Sequence, residues 1–260
     1  MVERIKKGKG DIVFLLDVTV SMEKCLQAVK DNLITFASTL AGEVEKLGTV
    51  SKKIEPDIRY KVCGYRDQSC DGDKWFIDFP FVRNIDEVKT HMNHADMTHC
   101  GGGDEPESLL DALYKVGMMP LSGIQEPEDP NKWRRGVRHC ILIFTDATFH
   151  KRATLPEIKD LDIFAVYEKI ITSKIRLFGL VPEWEGYNLL GQFPYARMDY
   201  YIKGDLVKKL GEDSPEGAAA QIASADALEK LAKNEIFSSW RIARELTLSD
   251  SRYIKPDAVD

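Results

Sequence analysis

The chain has 260 residues, 43% hydrophobic and 30% charged, ordinary globular proportions that exclude collagen-like repeats and wholesale disorder. A net charge of −6 argues against a general nucleic-acid binder, which needs a basic footprint, and against adhesion to anionic lipid. At this length a core buries about 70–75% of the unfolded surface, so folding requires neither disulfides nor a structural metal.

No stretch approaches the roughly 18 continuous apolar residues of a membrane helix. The basic residues 1–10 lead into an apolar run, 12–16, that stops at Asp17 and is too short for a signal peptide. Cys25, Cys63, Cys70, Cys100 and Cys140 lack C-x-x-C spacing and are odd in number, which points to a reduced, cytoplasmic chain. Cys63 and Cys140 read as small core residues, Cys25 as part of a buried helix face, and Cys70 as exposed.

Residues 11–16 form a continuous apolar run with β-branched members, the pattern of a strand buried on both faces. Cys25, Val29, Leu33, Phe36, Leu40, Val44 and Leu47 then recur at three- and four-residue spacing, one face of a long helix closed by Gly48. Residues 58–65 alternate as a second strand, and 75–79 form a third, placed at an edge by Pro80. Asn84, with Glu87 three residues on, opens a helix over 84–95. A helix over 107–118, a strand over 137–145, a helix over 160–173, a strand over 175–181 and a short helix over 186–192 follow. The series closes with a strand over 199–202 and a helix from Asp205. Lys132, Arg134, Arg135 and Arg138 read as a solvated approach to a strand.

This alternation specifies an α/β fold: a doubly wound, mostly parallel, Rossmann-like sheet with helices on both faces. Residues 1–10 read as a tail and 11–213 as the α/β domain. The Ala-rich 214–260 reads as a helical extension packed on that domain, ending in 236–248 with Trp240, Ala243 and Leu246 along one side.

In such sheets ligands bind beyond the carboxyl ends of the strands. The first strand runs into Asp17-Val18-Thr19-Val20-Ser21. In an extended turn, alternate residues share a side, so Asp17, Thr19 and Ser21 aim three oxygens together while Val18 and Val20 face the core. One carboxylate and two hydroxyls suit a hard cation; otherwise Ser21 caps the following helix. A second loop, Gly101-Gly102-Gly103-Asp104-Glu105-Pro106-Glu107-Ser108, enters a helix, its glycines allowing close backbone approach and Glu105 complementing the helix dipole. A third tip is Thr145-Asp146.

These three strings, in this order, resemble the metal-ion-dependent adhesion site of von Willebrand factor A domains over roughly residues 10–209. The resemblance implies metal ligation by Asp17, Thr19, Ser21 and Asp146. Thr19 stands where serine is commoner, and the second loop follows the G-G-G-D-x-P-E variant, so a ligand role carries to Asp104 and Glu107 without choosing between them. Tyr65-Arg66-Asp67 also resembles such domains and is expected as rim. The family implies Mg²⁺ or Mn²⁺, with Ca²⁺ ranked below them, and a partner protein's carboxylate at an open coordination position. That means binding rather than turnover, by an intracellular scaffold or regulator. Three carboxylates around one ion would leave a formal charge of about −1, so a second-loop acid is expected to swing away when the partner engages.

Two other chemistries are weighed. In a haloacid-dehalogenase-like phosphotransferase Asp17 would be the nucleophile beside Mg²⁺, but the usual second acid two residues on is Thr19 and the glycine loop has no role. A zinc site from His91, His94, His99 and Cys100 lacks a matching pair elsewhere. The triple glycine lacks the following Lys-Ser/Thr of a P-loop, and Trp75, Trp133, Trp184 and Trp240 are too dispersed for a base-stacking platform.

Overall fold

The computed structural model describes residues 6–47, 54–98, 101, 106–123, 127–171 and 173–201. The expected helix from Asp205, the extension 214–260, Asp104, Glu105, His99, Cys100 and the side chain of Cys25 lie outside the described residues.

Strand β1 (Lys6–Asp17) is central, pairing in parallel with β2 (Ile54–Tyr65) and β4 (Arg138–Phe144). It starts five residues before the expected Asp11, because Lys6–Gly10 pair with Ile54–Ile58 through the backbone, which no apolar pattern announces. Ile12, Phe14 and Leu16 enter one core while Val13 and Leu15 enter the other, so a strand without polar alternation serves both faces.

Helix α1 (Glu23–Lys46) buries Leu26, Val29, Leu33, Phe36, Leu40 and Val44 on one face of the sheet. The short α2 (Gln68–Asp71) follows β2. Strand β3 (Phe76–Asp78) then pairs antiparallel with β2 at the sheet's edge, where Pro80 had placed it. Helix α3 (Ile85–Met92) packs beside α1, its first turn capped by Asn84, whose Oδ1 accepts from the Asp86 N–H at 2.8 Å.

The opposite core takes α4 (Leu109–Gly117), α5 (Ile163–Ile171) and α6 (Glu185–Gly191), with β5 (Arg176–Pro182) and β6 (Ala196–Tyr201) extending the sheet in parallel. The strand order β3-β2-β1-β4-β5-β6 is that of a Rossmann-like doubly wound sheet, as the sequence led us to expect. Because β1 has β2 on one side and β4 on the other, the winding reverses there. The resulting crevice opens beyond the carboxyl ends of β1 and β4.

The basic cluster expected in solvent is partly buried instead. Arg134 bonds Asp11 through its Nε (to Oδ1, 2.8 Å) and its backbone N–H (to Oδ2, 2.8 Å), and Asp57 through Nη1 (2.7 Å). Arg59 completes the grip on Asp11 with bonds of 3.0 and 2.8 Å. Two guanidiniums against one buried carboxylate satisfy charges that could not otherwise leave water.

Candidate functional site

Asp17 is the last residue of β1 and is fully buried. Its Oδ1 accepts from the Thr19 hydroxyl at 2.6 Å and the Thr19 N–H at 3.0 Å, and its Oδ2 from the Thr145 hydroxyl at 2.7 Å. Ser21 Oγ donates to Asp146 Oδ1 at 2.7 Å and lies 3.1 Å from Thr19 Oγ1. Each hydroxyl has one hydrogen, and the two shorter contacts to carboxylates claim them. The oxygens of Thr19 and Ser21 therefore approach each other through lone pairs, an arrangement that suits an added cation. The competing role for Ser21 is not taken up: α1 starts after Met22 with no side-chain cap.

Val18 is buried as expected, but Val20 is 52% exposed. The alternation that predicts an inward Val20 holds for extended chain, and here the backbone turns helical at residues 20–22, handing the core position to Met22.

The second loop reaches this cluster through Glu107. Its N–H donates to Thr148 O at 2.9 Å and its carbonyl accepts from the His150 N–H at 3.0 Å, a one-residue parallel bridge onto the chain following β4. The side chain is 4% exposed, and Oε2 is buried without a hydrogen-bond partner. Burial, then repulsion from Asp17, Asp67, Asp71 and Asp146, pushes its carboxyl up to about 9. Burial and the charge of Asp146 likewise raise Asp17 to about 6, against the bonds from Thr19 and Thr145. Both shifts come first from burial and then from the crowding of acids.

Arg66 and Asp67 are not rim residues. Arg66 is buried, donating to the carbonyls of Lys74 and Asp96. Asp67, 1% exposed, accepts from the Ser69 N–H and hydroxyl, from Ser108 Oγ at 3.0 Å, and pairs with His150 Nε2 at 3.0 Å. Burial alone would raise it, but the bonds from Ser69 and His150 prevail and hold it at about 2. Sequence reading did not single out His150 or the Thr145 hydroxyl. Their partners lie 83 and 128 residues away, so no local spacing could reveal them.

Of the expected ligands, the structure brings Asp17, Thr19, Ser21 and Asp146 together and sets Glu107 close enough to feel both aspartates. Among the described residues no three His, Cys, Asp or Glu side chains form a metal-holding group by themselves. The converging donors are two carboxylates and two hydroxyls, an all-oxygen set, and the orphaned Glu107 Oε2 is a further oxygen lacking a partner. That set fits a hard divalent ion.

The alternatives find less support. Both oxygens of Asp17 are bound by hydroxyls in a fully buried position, poorly placed for nucleophilic attack. His91 stacks on Phe79 with ring centroids 4.7 Å apart, and His94 accepts from the Asp96 N–H, so both have local structural roles. Cys63 and Cys140 are buried and Cys70 is exposed.

The sequence matches no family model and no curated protein. Among solved structures it is similar to proximal thread matrix protein 1 of the mussel byssus, described with a zinc-occupied MIDAS motif. Identity is 13% and the TM-score 0.47, over 89% of this chain and 48% of that one. The pilus adhesin SpaC of Lactobacillus rhamnosus GG, in its open conformation, shows 14% identity and a TM-score of 0.44, over 89% of this chain and 30% of that one. The chain thus spans about half of the first protein and under a third of the second. Both likenesses are faint, and nothing about this chain's chemistry follows from them.

Proposed function

We propose that the chain is a divalent-cation-dependent protein-interaction module of the von Willebrand A type, binding a partner rather than turning over a substrate. The observation that carries this is the junction of two strand tips. The Thr19 and Ser21 hydroxyls spend their hydrogens on Asp17 and Asp146, leaving lone pairs facing each other across 3.1 Å, while Glu107, whose Oε2 is buried without a hydrogen-bond partner, is crowded by both aspartates. Asp17, Thr19, Ser21, Asp146 and Glu107 would hold Mg²⁺ or Mn²⁺, directly or through water. A bound ion would supply an open coordination position for a carboxylate oxygen of a partner protein. By the same resemblance, such a module would act as an intracellular scaffold or regulator.

Glu107 sets the strength of that engagement, because every carboxylate on the ion lowers its attraction for another. Isothermal calorimetry of the full chain with MgCl₂ and MnCl₂ tests the reading. Saturable heat lost on Asp17→Ala is expected; no heat with either ion overturns it. Phosphatase turnover abolished by Asp17→Asn would instead favour the nucleophile reading.

A further inference from the structure

Asp67 and His150 belong to no ligand string, yet they join three segments at the sheet's carboxyl edge. Asp67 follows the end of β2, and its carboxylate takes bonds from Ser69 in the first turn of α2, Ser108 at the entry to α4, and His150 after β4. Ser108 Oγ also accepts from the Gln68 N–H at 2.9 Å, so the start of α2 and the α4 entry are held at two points. Glu107 lies directly in this junction. Its backbone is clamped between Thr148 and His150, and the residue after it bonds Asp67.

We propose that Asp67 and His150 are positioning residues for the cation site, acting through Glu107; this rests on the cation reading above. The Thr148–His150 segment begins two residues after Asp146, the third-tip acid, and it is the same segment that grips the Glu107 main chain. The second and third loops therefore hold their carboxylates at a fixed spacing, and the Asp67–His150 pair ties that unit to β2. With the backbone clamped, only the Glu107 side chain is left to move when a partner carboxylate arrives. Outer partners of this kind orient ligands without touching the ion.

The test is Mg²⁺ calorimetry on the full chain, with thermal unfolding in chelator alongside. His150 is 26% exposed, so His150→Ala is expected to fold. It should weaken Mg²⁺ binding about tenfold, the lower end for lost outer partners, with the chelator midpoint nearly unchanged. His150→Gln, which keeps an N–H donor toward Asp67, should restore most of the affinity. Asp67→Ala should weaken binding likewise, and neither change should weaken it further in a Glu107→Gln background. Wild-type affinity in His150→Ala, or losses that add to that of Glu107→Gln, would overturn the positioning role while leaving the cation reading intact. No Mg²⁺ heat from the wild-type chain would overturn both.

Discussion

Ser21 Oγ lies 2.7 Å from Asp146 Oδ1, joining the turn after β1 to the tip of β4 across 125 residues of sequence. The bond spans the crevice where the sheet's winding reverses. It places a hydroxyl from one wall and a carboxylate from the other within the reach of a single small ion.

Ser21→Ala should therefore weaken Mg²⁺ binding in calorimetry while leaving the fold intact. Its hydroxyl caps no helix, so the stability loss should stay near 1 kcal/mol, that of one hydrogen bond. Unchanged Mg²⁺ affinity would remove Ser21 from the donor set.

Glu107→Gln removes a charge from a site crowded with acids. Affinity for Mg²⁺ should fall, while a bound partner carboxylate should be held more tightly at saturating Mg²⁺, as measured by pull-down from native extract. Weaker retention of the partner would contradict the idea that this acid competes with it.

The raised carboxyls of Asp17 and Glu107 make stability depend on pH in chelator. The folded chain keeps protons that the unfolded chain releases near pH 4. Folded molecules thus bind more protons through the window up to about 6 for Asp17 and about 9 for Glu107, and stability falls as pH rises across it. Urea midpoints in EDTA should decline between about pH 5 and pH 9, and saturating Mg²⁺ should flatten the decline. A midpoint that climbs over this range in EDTA would show that these two acids do not dominate.

Gly101 has φ +76°, and a Cβ there would come within 1.9 Å of the Asp71 carboxylate. Gly101→Ala combines a left-handed backbone with a collision, so a loss of about 1–3 kcal/mol is expected in denaturant titration. A neutral result would mean that the α2 carboxylate moves aside freely.

At the other end of β1, Arg134→Met leaves Asp11 with one guanidinium and breaks the tie to Asp57. Removing a partner from a buried ion pair costs about 3–5 kcal/mol. Asp11 and Asp17 lie six residue steps apart along β1, roughly 20 Å, so Mg²⁺ affinity should survive. A parallel loss of affinity would reveal that the two ends of the strand are coupled.

Local pattern carries far in this chain because each piece of it repeats a short period. The run from Ile12 to Leu16 can only be satisfied between two apolar layers, and the spacing of Val29, Leu33, Phe36, Leu40 and Val44 only on one helix face. Those two facts, repeated along the chain, determine a doubly wound sheet and put Asp17 and Asp146 at strand tips, where ligands gather.

What depends on contacts between distant segments was not legible. Val20 turns outward because the backbone leaves the extended state one residue before the alternation ends. Arg134 looks like a solvated charge until Asp11, 123 residues away, is seen to need it. Asp67 and His150 meet only because β2 and β4 flank β1. Periodicity determined which residues face inward. Which buried charges found partners, and which Glu107 oxygen did not, was decided by tertiary packing, since electrostatic satisfaction depends on distance in space and leaves no period in the sequence.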